Sequence, residues 1–254
     1  MQLPKEVVKA VAEAKHLVVF TGAGVSAESG MPTFRDALTG LWSNFDPMRL
    51  ATPEAFLQDP PLVWGWYEWR RQLLLAIEPN PAHLAIAQLT KKVPKLTLIT
   101  QNVDDLHERA GSQGALHLHG SIFEPRCFTC AKPYVFEGVP AMDEEQAITP
   151  PPCKACGDPV RPGVVWFGEA LPETELDAAF AAAENCDCFL SIGTSGVVQP
   201  AAQLPVLAVE AGAWVAHINP EAIDVEGSKE FSLVGKAGSL LPQLLKQVEA
   251  WQAS

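Results

Sequence analysis

The chain has 254 residues, 48% of them apolar and 19% charged, which fits one large domain or a main domain with a small insert and excludes global disorder. Eighteen Lys and Arg against 30 Asp and Glu leave a net charge of −12 with no basic stripe, which excludes a free-standing nucleic-acid binder. No apolar run approaches the ~18 residues of a membrane span, and the first residues lack a secretory signal, so the expectation is a soluble cytoplasmic protein with no membrane partner.

Leu17–Phe20 is the first of five short, continuously apolar runs, followed by Leu96–Thr100, Val164–Phe167, Cys188–Ile192 and Trp214–Ile218. Unbroken hydrophobicity predicts strands of a parallel sheet covered on both faces. Helical spacing falls between the runs: Leu176, Ala179, Phe180 and Ala183 share a face, as do Leu240, Leu241, Leu244, Leu245, Val248 and Trp251. Strands alternating with helices predict an α/β fold. Two intervals break the rhythm. Met31 to about Leu75 is irregular and aromatic-rich. About Ser121 to Pro162 has little apolar periodicity and cannot bury enough surface to hold itself together, so it needs a staple.

Cysteines supply that staple. Cys127-x-x-Cys130 and Cys153-x-x-Cys156, separated by 22 residues, suit a tetrahedral four-thiolate zinc site. Four protein ligands leave no open position, so the metal is structural rather than catalytic. Cys186 and Cys188, beside Phe189-Leu190, read instead as packed small hydrophobes.

After the first strand, Gly22, Gly24 and Ala27 match G-x-G-x-x-G/A, a loop that brings backbone N–H groups to a pyrophosphate. A purely structural turn would look similar. Gly30 and Pro32 should end the following helix after a turn or two, and no ribose-binding acid follows about 20 residues on, so hydride transfer is not indicated. Thr100-Gln101-Asn102-Val103-Asp104 follows the second strand, where amides and a carboxylate either contact a ligand or cap the next helix. His117 and His119 are two apart. One suits a general base, and the residues alone do not choose between them.

Gly22-Ala23-Gly24-Val25-Ser26-Ala27-Glu28-Ser29-Gly30-Met31-Pro32-Thr33-Phe34-Arg35 resembles the opening signature of sirtuins, the NAD-dependent protein deacylases. Thr100–Asp104 resembles their T-Q-N-(I/V)-D element and His119-Gly120 their H-G. The cysteine pairs, Val164–Glu169, Gly193-Thr194-Ser195, Ile218-Asn219 and Lys236-Ala237-Gly238 follow in family order along nearly the whole chain. The resemblance implies a single catalytic unit with a Rossmann-like large domain at about 1–30, 76–120 and 163–254. A small domain would come from a helical insert at about 31–75 and the zinc module at about 121–162, with the cleft between the two domains.

The resemblance further implies NAD consumed as co-substrate, one structural zinc, and acyl-lysine proteins or peptides as partners. Gly22, Ala23 and Gly24 would contact the pyrophosphate. Ser26, Gln101, Asn102 and Asp104 would serve the nicotinamide side, covered by Phe34 and Arg35, and Gly193, Thr194, Ser195, Asn219 and Ala237 the adenosine side. Val165, Trp166 and Phe167 would form the acyl-lysine tunnel and a β-type clamp on the peptide. His119 would be the base that relays a proton from the ribose hydroxyls, so that the 2′-oxygen takes the acyl group and O-acyl-ADP-ribose leaves.

Tyr67 and Arg70 lie three apart, on one helical face. Their Y-x-x-R pattern resembles the class III signature for malonyl, succinyl or glutaryl groups, whose carboxylate an arginine fork grips in bidentate fashion. The alternative reading packs Tyr67 with Trp64, Trp66 and Trp69 and turns Arg70 to water. Ala37 would leave room for a longer acyl chain. Asp105 stands where a glycine is frequent, and Gly163 departs from the family pattern before the clamp.

Overall fold

The computed structural model describes residues 3–31, 46, 50–136 and 146–254. Phe34, Arg35 and Ala37 lie outside the described residues. The helices are α1 (Lys5–Glu13), α2 (Ala23–Ala27), α3 (Pro53–Gln58), α4 (Pro60–Ala76), α5 (Pro81–Leu89), α6 (Leu106–Arg109), α7 (Glu173–Glu184), α8 (Leu204–Glu210) and α9 (Ala237–Gln252). The strands are β1 (His16–Thr21), β2 (Lys95–Thr100), β3 (Leu116–His117), β4 (Arg126–Cys127), β5 (Val160–Arg161), β6 (Cys188–Ile192), β7 (Trp214–Asn219) and β8 (Glu230–Val234).

Six strands form one sheet in the order β3-β2-β1-β6-β7-β8, every pair parallel. Parallel neighbours need crossover connections, and the helices that supply them cover both faces. Alternation along β1 sends Leu17 and Val19 to the side packed by α1, α5 and α9, and Val18 and Phe20 to the side packed by α7 and α8. All six β1 residues are buried, as a central strand with two covered faces requires. In α9 the predicted face is buried from Leu240 to Val248. Trp251 is half out, its indole N–H donating to the Glu13 carboxylate at 3.3 Å.

A third apolar cluster draws Met31, Phe56, Trp64, Trp66, Tyr67 and Leu74 together with Ile122, Val160, Val164 and Trp166. It corrects one expectation. Val164–Phe167 is not a sheet strand. Val164 makes only an isolated antiparallel bridge to Gly120, and the run is apolar because Val164 and Trp166 enter this cluster. Among the described residues, the stretch read as irregular between Met31 and Leu75 contains α3 and most of α4. The Thr52 and Asp59 side chains cap α3 and α4, each helix with a proline in its first turn.

Candidate active site

The strand order runs outward in both directions from β1 and β6, and ligands of open α/β sheets bind beyond the strand C-termini at such a switch point. There the loop after β1 meets the loop after β6 backbone to backbone. Gly22 N–H donates to the Ile192 carbonyl at 3.0 Å and Gly24 N–H to the Gly193 carbonyl at 2.9 Å. A Cβ on Gly24 would lie 2.8 Å from Gly193 Cα, and Gly193 itself has φ +61°. Close chain approach therefore already demands these glycines, whatever ligand the loop holds. The helix that follows, α2, ends at Ala27, as Gly30 predicts.

Ser26 is the hub of the next layer. Its hydroxyl donates to Asp104 Oδ2 and receives the Asn102 amide, both at 2.9 Å. Asp104 Oδ1 also accepts Leu106 N–H at 3.2 Å, so this carboxylate does part of the capping work at the start of α6. Burial pushes the Asp104 carboxyl above its ordinary range, and the Ser26 and Leu106 bonds work against the shift. Asn219, at the end of β7, donates to the Thr194 carbonyl at 3.3 Å. Ala237 opens α9 nearby, while Ser195 is exposed.

Geometry separates the two histidines that the sequence left equal. His117 has both nitrogens engaged, Nδ1 with the Asn102 carbonyl (3.2 Å) and Nε2 with the Glu108 carboxylate (2.9 Å). Two acceptors require two N–H groups. Burial, which opposes the charged ring, is outweighed by Glu108, and the pKa of His117 is raised. Among the described residues His119 meets one acceptor, the Gln101 carbonyl, 2.9 Å from Nδ1. A carbonyl cannot donate, so Nδ1 carries the proton and Nε2 keeps its lone pair. Burial holds the His119 pKa below the ordinary value, with the Gln101 bond in partial opposition, so the ring is a neutral base at pH 7. The Val164–Phe167 segment attaches at this residue, Val165 N–H donating to the His119 carbonyl at 2.8 Å.

Two further histidines were not singled out by the sequence. His83 and His107 are buried edge to face, ring centroids 4.9 Å apart. His107 Nε2 meets the Thr21 hydroxyl at 3.0 Å, and His83 completes a capping box with Asn80. The Asn80 amide in turn holds α2 through the Val25 carbonyl (2.7 Å) and Ser29 (3.0 Å). An N-cap asparagine followed three residues on by histidine is the faint trace of this in the sequence. Burial lowers the pKa of His83 to about 4 and of His107 to about 3. Both stay neutral in the fold, whereas the unfolded chain protonates below about 6.5. Stability is then complete above that value and is lost as pH falls toward 4. Linkage gives a loss of about 2 kcal/mol for each ring between pH 7.5 and 5. Urea unfolding at the two pH values checks this. Equal stabilities would mean that the rings titrate alike in both states.

On α4, Tyr67 and Arg70 are both buried, so the arginine does not turn to water. The Tyr67 hydroxyl accepts the Trp166 indole N–H at 3.0 Å, and the Arg70 guanidinium lies 5.2 Å from the Trp66 ring centre. Burial raises the Tyr67 pKa and lowers that of Arg70, and Tyr67 and Asp104 act against the shift of Arg70. The structure thus gathers Tyr67, Arg70 and Trp166, three of the residues singled out for acyl recognition. The backbone donors of the clamp segment are spent within the chain. Phe167 N–H bonds the Ala51 carbonyl at 2.9 Å and Trp166 N–H bonds Glu169 at 2.8 Å. Gly163 has its own cause, since a Cβ would stand 1.9 Å from the Glu124 carbonyl.

The sulfurs of Cys127, Cys130, Cys153 and Cys156 all lie within 4.8 Å of one another, with 3.4 Å between Cys127 and Cys156 and 3.7 Å between Cys130 and Cys153. A tetrahedron of thiolates about 2.3 Å from zinc has edges of about 3.8 Å, so the donor set and its spacing fit a structural zinc. Backbone N–H groups of Cys130 and Ala155 point at the Cys127 and Cys153 sulfurs, both at 3.4 Å, as expected where thiolate charge needs donors. Cys186 and Cys188 are buried away from this cluster, and burial raises both thiols, Cys186 to about 11. No described helix is long and apolar enough to cross a membrane.

Comparison with known proteins bears on this arrangement. A profile of the Sir2 family matches residues 22–200. An NAD-dependent protein deacylase of Pseudomonas aeruginosa is 60% identical over 245 residues, covering 96% of this chain and 98% of the relative. One from Archaeoglobus fulgidus is 46% identical, covering 97% and 98%. Among solved structures, a Sir2 homologue in complex with NAD superposes with a TM-score of 0.90 at 45% identity, covering 99% of this chain and 96% of the other. A Sir2 protein bound to a myristoylated histone peptide gives 0.75 at 34%, covering 98% and 97%.

Proposed function

This chain belongs to the Sir2 family, and on that premise we propose that it is an NAD-dependent protein-lysine deacylase that removes succinyl and malonyl groups and retains acetyl removal. The observation that carries the reading is the placement of His119. Its Nδ1 is locked to Gln101, its Nε2 is left as the base, and its own carbonyl is tied to the Val165 segment on the acyl side. NAD supplies a ribose that can release nicotinamide and receive the acyl group. His119 takes the ribose proton, and Ser26, Asn102 and Asp104 orient the nicotinamide side. We assign Gly22, Ala23 and Gly24 to the pyrophosphate and Gly193, Thr194, Ser195, Asn219 and Ala237 to the adenosine side, with Phe34 and Arg35 covering the ribose. The two-lobed division into a Rossmann-like domain and a small helical and zinc-bearing domain belongs to the same proposal.

The acidic-acyl preference is supported by Tyr67 and Arg70, which share one buried face of α4. A buried cation on that face favours an acyl group that ends in a carboxylate. Mass spectrometry of matched acetyl-, malonyl- and succinyl-lysine peptides with NAD, on the wild type and Arg70→Met, tests it. Loss of a charge-assisted bond should lower turnover of the acidic groups by about 10- to 100-fold more than that of acetyl. Equal loss on all three would return Arg70 to a packing role. ADP-ribosylated protein without O-acyl-ADP-ribose would indicate transfer instead.

A further inference from the structure

We infer that Trp166, clamped by Arg161 and Glu169, is a positioning residue for acyl specificity: its indole N–H fills the acceptor side of the Tyr67 hydroxyl and turns the remaining hydrogen bond of that hydroxyl into a donation. The inference rests on the reading of Tyr67 and Arg70 as the acyl-recognition pair, and adds to it the group that sets the polarity of the tyrosine.

Indole is a donor and never an acceptor, whereas a phenol can be either. Tyr67 receives the Trp166 N–H at 3.0 Å, and its hydroxyl makes no other hydrogen bond among the described residues. Both side chains are almost fully buried, Tyr67 at 5% and Trp166 at 2% exposure, so water does not readily take the leftover proton. A buried O–H that lacks an acceptor is costly, and an acyl tail ending in a carboxylate removes the cost. An acetyl group, which ends in a methyl, does not. Trp166 thereby converts an ambiguous phenol into a selective donor.

The clamp explains why the indole stays in that orientation. The Arg161 guanidinium lies 3.5 Å from the centre of the Trp166 ring. The same guanidinium forms a two-point pair with Glu169 and donates to the Val164 carbonyl at 2.9 Å. Glu169 also accepts the Trp166 backbone N–H at 2.8 Å. One ion pair thus fixes both the backbone and the ring of Trp166. Phe56 packs against the ring with centroids 5.4 Å apart.

The test is a double-mutant cycle on kcat/KM for succinyl- and acetyl-lysine peptides, with wild type, Trp166→Phe, Tyr67→Phe and the double variant. Each single change should lower the succinyl-to-acetyl ratio by about tenfold, the worth of one hydrogen bond, and the double should fall no further than Tyr67→Phe alone. A ratio untouched by Trp166→Phe, or losses that multiply in the double, would overturn the inference. A wild type that leaves succinyl-lysine intact would instead overturn the acyl reading on which it rests. A second measurement does not depend on turnover or on the folding of Trp166→Phe. In ¹⁵N-labelled protein the Trp166 indole N–H should exchange slowly and shift when Tyr67 becomes Phe. A signal indifferent to Tyr67→Phe would overturn the bond itself.

Discussion

Replacing His119 with alanine should lower deacylation by about 10²- to 10⁴-fold, the usual worth of a positioned general base, while the melting temperature stays close to that of the wild type. The asymmetry follows from its contacts. Among the described residues His119 gives one side-chain hydrogen bond, to the Gln101 carbonyl, and is only half-buried, so little of the fold depends on its ring. His117 sits two residues earlier and has the opposite profile, with both nitrogens bonded and its ring paired with Glu108. His117→Ala should therefore cost stability first, by removing the Glu108 ion pair and leaving the Asn102 carbonyl without this donor. Turnover and thermal melts on the two variants decide the matter. Comparable loss of turnover in both, or a collapsed fold in His119→Ala, would defeat the assignment. Because burial holds the His119 pKa below the ordinary 6.5, activity limited by this base should already be level at neutral pH and fall on acidification.

What the sequence revealed of this site, and what it hid, has a physical pattern. Strands buried on both faces announce themselves, and β1, β6 and β7 were legible as unbroken apolar runs. Leu116–His117 adds a strand of two residues, too short for any period to register, and β8 is an edge whose half-exposed residues break the run. Val164–Phe167 misled for the converse reason. A third apolar cluster needs the same residue types as a strand, and periodicity cannot tell the two apart. Motifs with fixed spacing pointed to the cysteines and the glycine loop, because those positions answer to local geometry, whereas the choice of His119 over His117 came from the family resemblance. The supporting polar groups answer to tertiary contacts. Arg161 reaches Glu169, His107 reaches Thr21, and Arg109 on α6 donates to the Leu74 carbonyl near the end of α4 at 3.1 Å. None of these pairings has a sequence signature. In α4, Glu68 and Arg71, which no motif singled out, are both buried against each other, and Arg71 stacks 3.9 Å from the Phe136 ring centre.

Removing the zinc should abolish the order of the cysteine-bearing module and leave the parallel sheet standing. β4 and β5 have two residues each, and an isolated two-stranded ribbon is at best marginal in water. The module's apolar residues face outward onto the third apolar cluster rather than forming a core of their own, Val160 buried in that cluster and Phe128 against Phe56 with ring centres 5.3 Å apart. The apparent binding free energy of a structural zinc, about 10–16 kcal/mol in small zinc domains, is therefore the main term holding residues 126–136 and 151–161. The sheet uses none of the four ligands. Hydrogen exchange after chelation, with metal content measured on the same sample, should show these two segments exchanging freely while β1, β6 and β7 remain protected. Activity should fall by at least about tenfold although none of the four cysteines bonds Ser26, Asn102, Asp104 or His119. β5 contains Arg161, the clamp on Trp166, and Ile122 N–H bonds the Val103 carbonyl at 3.0 Å, within the loop that carries Asn102 and Asp104. Loosening the module thus frees both walls of the site at once. Cys153→Ser should act in the same direction. A metal-free protein whose module stayed protected would mean that packing alone closes it, and the acyl wall would then owe nothing to the thiolates.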